Sequence, residues 1–388
     1  MTACMTGWAH TPFGRLEDDD AESLIVRVAT NAIADAGLEP GDIDEIFLGT
    51  FNGGMSPQDF AASLVLQADD ALRYKPVTRV ENACATGSAA IYQGLNTIKA
   101  GNARHVLCIG MEKMTACDIK AVGETLIKAS YVKDEAVDGM TFPGVFGLIA
   151  QNYFQKYGDQ MDALAMIAAK NHKNGSVNPL AHLQKDFGYD FCRNESEKNP
   201  FVAPPLKRTD CSMVSDGAAA VVISDAEASS EADKAIAFRA TTHVNDFLPM
   251  ARRDIVAFEG PKHAWAKSLE AAGIGLDDLS FVETHDCFTV AELIEYEAMG
   301  LTEPGRGAQA IKEGWTQKDG RLPVNPSGGL KAKGHPVGAT GVSMHVMAAM
   351  QLTGTAGGCQ IDGAKLGGVF NMGGAAVANY VSILEPLR

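Results

Sequence analysis

Apolar positions along the chain follow two rhythms, one helical and one strand-like, and their succession recurs. From Glu22 to Gly37, Leu24, Ile25, Val28, Ala32, Ile33 and Ala36 return at three- and four-residue intervals. That spacing predicts an amphipathic helix with Gly37 as its C-cap. A turn, Glu39-Pro-Gly-Asp42, leads to a strand at Ile46-Phe-Leu48. The same succession returns between Ala264 and Asp286, where Ala272-Gly273 repeats Ala36-Gly37, Asp278-Leu279 repeats Asp42-Ile43, and Val282 repeats Ile46. Two further echoes keep the same order. Ala85-Thr86-Gly87 and Ala339-Thr340-Gly341 each open a helix-like stretch, and the buried strand Gly217–Ser224 resembles Gly374–Ser382. The pattern predicts an α/β protein of two halves, residues 1–230 and 231–388, each alternating strands with helices.

The first half carries an excess between the strand Val106–Gly110 and the strand near Ala218. Residues 113–208 read as an inserted loop subdomain that either covers a substrate or merely decorates the fold. A helix is expected within it from Asp162 to Lys170. Its segment Lys156–Arg208 holds eight basic and six acidic residues, locally positive in a chain whose net charge is −15. That overall charge disfavours nucleic acid and anionic membranes as partners and leaves room for a small anionic ligand.

Apolar residues are 46% and charged residues 21% of the 388, a composition that excludes a disordered chain. No apolar run approaches the ~20 residues of a membrane span. Met1–Arg15 shows no secretory signal, and the eight cysteines include no Cys-x-x-Cys pair. A cytoplasmic location, without a structural zinc or a disulfide framework, is therefore expected. Forty glycines are about 10% of the chain, above the ~7% average, and they cluster at the segments that carry chemistry.

Four such segments stand out. In Asn82–Ala90, Cys84 precedes small residues that open a helix. The helix dipole and free N–H groups there would lower its pKa, unless the thiol is simply buried and inert. Glu283-Thr-His-Asp-Cys-Phe288 follows a strand, with His285 and Cys287 two residues apart at the end where α/β sheets hold ligands. Alone, it also fits an ordinary loop histidine. Asn325–Gly341 packs five glycines around His335, held between Gly334 and Pro336 as a general base would need to be. It has neither a GxGxxG fingerprint nor a Walker loop, so it is not a nucleotide-phosphate cradle. Finally, Gly373 and Gly374 in Phe370–Ala375 could present a bare backbone N–H to a reacting atom, or form a plain turn.

Taken together, Thr11-Pro-Phe-Gly14, Cys84, Ser215-Asp-Gly-Ala-Ala-Ala220, Val324-Asn-Pro-Ser-Gly-Gly329 and Gly334-His-Pro336 resemble the thiolase family over nearly the whole chain. One departure sorts the sequence further. Where common thiolases carry Asn-Glu-Ala-Phe and a late Cys-x-Gly, this chain has His285-Asp-Cys-Phe288 and Asn371-Met-Gly373. That pattern is similar to sterol carrier protein 2-type thiolases, without the carrier domain. The resemblance implies a thiolase-like fold of two pseudo-repeated halves in five α-β-α-β-α layers, with the insertion binding coenzyme A and Ser212 a contact to it.

The resemblance also implies roles. Cys84 is the nucleophile, His335 its base and Cys287 the second acid/base. His335 and a water held by His285 serve an enolate oxygen, and the N–H groups of Cys84 and Gly373 serve a tetrahedral intermediate. Coenzyme A enters as substrate and product, with no cofactor and no metal, and a homodimer or homotetramer is expected. Acyl-chain choice is expected to rest on Met140–Leu148. Two other readings stay open: a thiolase-fold lyase or aldolase acting on acyl-CoA with a small OB-fold partner, and a non-catalytic acyl-CoA carrier.

Overall fold

The computed structural model describes residues 3–137 and 139–387; Met1, Thr2, Asp138 and Arg388 lie outside it. The strands that build its main sheet are β1 (Cys4–His10), β2 (Glu45–Gly49), β3 (Val77–Val80), β4 (His105–Lys113), β5 (Asp216–Ser224), β6 (Ile236–Asn245), β7 (Phe281–Glu283), β8 (Gly367–Gly373) and β9 (Ala378–Pro386). Their order is β3-β2-β4-β5-β1-β6-β9-β8-β7. The seam is a short antiparallel pairing, Cys4 with Ala237 and Met5 with Ile236.

Outward from the seam, both sides run first, fifth, fourth and second strand. On one side β3, the third strand, completes the order; on the other, Val324 bridges Val282 in parallel and takes the third strand's place. The senses match too, antiparallel twice and then parallel.

Period-two alternation sorts the strands' side chains to opposite faces. In β4 and β5, Leu107, Ile109, Ala220 and Val222 join one apolar cluster, while Val106, Cys108, Val221 and Ile223 join the other. Helix α1 (Ala21–Asp35) covers the first face with Leu24, Ile25, Val28 and Ile33, and Asp20 caps its N-terminus by accepting from the Ser23 N–H. Helices α2 (Thr86–Lys99) and α5 (Glu259–Ala272) pack against the first and second groups of strands respectively. Helix α8 (Thr340–Leu352) packs against α2 and against strands of both halves. The layers are therefore α1, first strands, α2 with α8, second strands, α5. Buried on nearly every side, α8 is apolar around most of its circumference.

The inserted residues are more helical than a loop subdomain. They include α3 (Phe142–Tyr157) and α4 (Met161–Gly175), so Met140–Leu148 is largely the start of a helix. Near the C-terminus the expected strand begins later than Gly374. Residues 374–377 form the turn between β8 and β9, and Phe370–Gly373 lie inside β8. Gly374 adopts φ 63°, which ends the strand there.

Candidate active site

Three of the four segments converge. The Cys84 sulfur and one nitrogen from each of His285 and His335 lie within 4.8 Å of one another, all three residues buried. The imidazole rings stand nearly perpendicular, at 87°, with centroids 5.2 Å apart.

Each side chain is set by its own turn. Ala83, just before Cys84, takes a left-handed conformation at φ 48°. The Thr86 hydroxyl accepts from the Asn82 N–H at 2.8 Å and donates to the Ala83 carbonyl at 2.6 Å, which fixes the bend from β3 into α2. His285 follows β7. Asn325, itself at φ 55°, ties that strand end down by accepting from the Thr284 N–H and donating to the Val282 carbonyl. The neighbouring Asp286 accepts from the N–H groups of Leu330 and Lys331 at the start of α7 (Gly329–Lys333). That short helix runs into Gly334, at φ 115°, and then His335. One carboxylate thus links the two histidine loops.

The same geometry explains the other motifs. A Cβ on Gly334 would come within 2.9 Å of the Ser215 hydroxyl and 3.2 Å of Phe13. A Cβ on Gly217 would overlap the Phe13 ring. The Gly-His-Pro, Ser-Asp-Gly and Thr-Pro-Phe-Gly segments therefore pack as one unit behind the site.

Burial makes the resting site neutral. It pushes the Cys84 thiol up to about 12, opposed by the Gly374 N–H and assisted by the charge of Glu112. This reverses the sequence expectation: α2 does begin at Thr86, but desolvation outweighs its dipole. His335 is pushed down to about 3 by burial and by Lys333. His285 lies well below its ordinary value because of burial and the His335 charge. Cys287 is raised by burial and then by Cys84. Both imidazoles keep an Nε2 without a hydrogen-bond partner. A proton leaving Cys84 would therefore create both charges of an ion pair inside the protein.

Cys287 is buried beside this cluster but outside its 4.8 Å trio. Its carbonyl accepts from the Ser212 N–H at 2.8 Å, which places Ser212, half-buried, at the rim of the Cys287 loop. Phe288, the next residue, stacks on Phe146 of α3 with centroids 4.4 Å apart, so the inserted helix covers this loop. Gly373 ends β8, where a Cβ would lie 2.4 Å from the Asn82 carbonyl. The amides aimed at the sulfur are those of Cys84 itself and of Gly374, the residue after Gly373.

Sequence reasoning missed Asn371 and Glu112. Asn371 in β8 contacts the Cys84 carbonyl, Ser88 and His285. Its only signal was that it stands where common thiolases carry the late cysteine. Glu112 accepts from the N–H groups of Phe51, Asn52 and Gly338. The clue was an acid directly after the apolar run Val106–Met111. A surface cleft of about 930 Å³, by contrast, is lined by Leu279, Lys318, Arg321 and neighbours, and by none of the site side chains.

Comparison with known proteins decides the family. Residues 3–227 match the family described as "Thiolase, N-terminal domain", and residues 242–386 match "Thiolase C-terminal domain-like". The chain belongs to the thiolase family. Among relatives of this thiolase, an acetyl-CoA acetyltransferase of Methanothermobacter thermautotrophicus is 36% identical over 98% of both chains. Human sterol carrier protein 2 is 32% identical over 92% of this chain and 67% of its own length. Two solved structures share the fold at 20% identity. An Ltp2-ChsH2(DUF35) aldolase has a TM-score of 0.84 over 100% of this chain and 98% of its own. An acetyl-CoA acetyltransferase from Syntrophomonas wolfei has a TM-score of 0.75 over 99% and 98%. Among the described residues no helix is long and apolar enough to cross a membrane.

Proposed function

We propose that this thiolase is an acyl-CoA:CoA acyltransferase that cleaves a 3-oxoacyl-CoA by thiolysis, or condenses two acyl-CoAs in reverse, through an acyl thioester on Cys84. The observation that carries the reading is the thiol set against two buried imidazoles with unpartnered Nε2 atoms. His335 takes the Cys84 proton as the sulfur attacks the 3-keto carbon. The oxyanion is met by the N–H groups of Cys84 and the Gly373–Gly374 turn. The Cα–Cβ bond then breaks, and its electron pair becomes the enolate of acetyl-CoA, whose oxygen faces His335 and His285. Cys287 gives its proton to the enolate carbon. It then takes the proton of incoming coenzyme A, whose sulfur displaces the acyl group from Cys84. Coenzyme A is thus substrate and product, and no cofactor is consumed.

Ser212 at the rim of the Cys287 loop fits a contact to the coenzyme. Beyond it, α3 bounds the acyl end. Strand β3 stands at the edge of the main sheet, and an open edge of this kind supports self-association into a dimer or tetramer. The retained thiol–imidazole cluster favours acyl transfer over an aldolase reaction with a small partner, and over a passive carrier.

The test separates the two halves of the cycle. Exchange of labelled coenzyme A into acetyl-CoA needs the acyl-enzyme but no carbon–carbon chemistry. Wild type should exchange and Cys84→Ala should not, while Cys287→Ala, which keeps the nucleophile but lacks the base for coenzyme A, should exchange slowly and lose thiolysis. Thiolysis that survives in Cys84→Ala would overturn the reading.

A further inference from the structure

The two catalytic imidazoles differ in what holds their Nδ1 atoms. Asn371 Nδ2 is 3.1 Å from the Cys84 carbonyl oxygen, a group that can only accept. The Ser88 hydroxyl donates to Asn371 Oδ1 at 2.8 Å from the other side. These two contacts fix which end of the amide is nitrogen. The same Nδ2 lies 2.8 Å from His285 Nδ1. An amide nitrogen has no lone pair to offer, so His285 Nδ1 must be the acceptor. Its proton is then on Nε2, the atom left without a hydrogen-bond partner. At His335 the arrangement is opposite. The Thr340 hydroxyl donates to the Pro336 carbonyl at 3.0 Å, which leaves its lone pair to accept from His335 Nδ1 at 2.6 Å. Nε2 of His335 is then bare.

We propose that Asn371 is a positioning residue that locks His285 as an Nε2–H donor, opposite to His335, which Thr340 holds as a base. One imidazole can then only take the thiol's proton, and the other can only give a hydrogen bond to the oxygen that becomes negative. A site with two like tautomers would have either two bases and no donor or two donors and no base. The direction at His285 is also the reverse of what a metal-binding imidazole needs. Such a ring donates its second N–H to a neighbour, whereas this one accepts. The thiol and two imidazoles are thus set for proton and oxyanion chemistry although their residue types would suit a soft metal ion. The site is closed tightly around Asn371: a Cβ on Gly341 would fall 2.5 Å from its Oδ1 and 2.6 Å from the Ser88 hydroxyl.

The spectroscopic arm of the test stands independently of any activity, and only the kinetic arm rests on the acyl-transfer reading. Nitrogen-15 NMR of the protein labelled at its nine histidines reports which ring nitrogen of each neutral imidazole is protonated. The His285 signals are identified by their loss in His285→Asn. The wild type should show His285 protonated on Nε2 and bare on Nδ1. Asn371→Asp puts an acceptor at the same place, so the pattern should reverse. Thiolysis by Asn371→Asp should fall about 10²–10³-fold, the usual effect of losing one oxyanion donor. Coenzyme A exchange, which forms no enolate, should fall much less. A merely structural role would depress both reactions alike. A wild-type His285 protonated on Nδ1 overturns the proposal, and so does Asn371→Asp with a reversed tautomer and undiminished thiolysis. Should that variant not fold, the wild-type spectrum alone decides.

Discussion

Cys84 sits where a helix begins, an environment that ordinarily acidifies a thiol, yet its side chain is almost completely enclosed. Burial wins, and the thiol is raised to about 12 while His335 is lowered to about 3. The resting pair is therefore thiol and neutral imidazole, and charge separation waits for a substrate that supplies an oxyanion and excludes water. Only the thiolate alkylates. The rate of Cys84 modification by iodoacetamide should accordingly climb about tenfold per pH unit from neutrality to beyond about pH 10. A plateau below pH 7 would reveal a resting thiolate–imidazolium pair instead. At this scale the residues with reactive chemistry were legible in the sequence. Cys84, His285, Cys287 and His335 carry groups that few positions need, and small or rigid neighbours flag them. Asn371 was not, because a polar residue in a strand has no chemical meaning until its partners are known. The thiol's pKa was misjudged for the same reason: the dipole is local and visible in sequence, while burial is contributed by residues far along the chain.

Helices α2 and α8 begin at Thr86 and Thr340, corresponding points of the repeat, and cross where Gly87 meets Gly341. A Cβ on Gly341 would lie 2.2 Å from the Ser88 nitrogen, and one on Gly87 would lie 2.6 Å from the Val342 nitrogen. Both neighbours are backbone and cannot step aside. Alanine is normally better than glycine inside a helix by ~1 kcal/mol, but Gly341→Ala should here destabilise the protein by about 1–3 kcal/mol through overpacking. Thermal denaturation would read this as a lower Tm, and an unchanged or raised Tm would show that the crossing tolerates a methyl group. The element scale was the most legible in the sequence. Helical spacing, the Gly37 and Gly273 caps and the intervening turns all depend on near neighbours. The failures lay at Gly374–Val377, where alanines and valine in a turn imitate a strand, and in the insertion, where the helix at Asp162–Lys170 was foreseen but α3 was not.

Across the whole molecule, the proposed nucleophile and its proposed base occupy equivalent places. Cys84 follows β3, the third strand of its half, and leads into α2. His335 follows the Val324 bridge, the third strand position of the other half, and leads into α8. The site is thus assembled at the contact of two similar loops, with His285 and Cys287 added from the loop after β7. The matching order of strands was foreshadowed by the 36-to-272 and 42-to-278 echoes in the sequence, whereas the seam itself was not. It rests on two antiparallel residue pairs, too short to mark the hydrophobic pattern. In a chain of net charge −15, the locally positive segment Lys156–Arg208 is where the proposed anionic coenzyme would be met. The proposed function turns on a covalent acyl group carried by one sulfur. The direct measurement is the intact mass of the protein after brief incubation with a 3-oxoacyl-CoA and no free coenzyme A. Wild type should gain the mass of one acyl group, lose it on adding coenzyme A, and show no gain as Cys84→Ala. An adduct that persists in Cys84→Ala, or turnover by a wild type that never becomes acylated, would contradict the account.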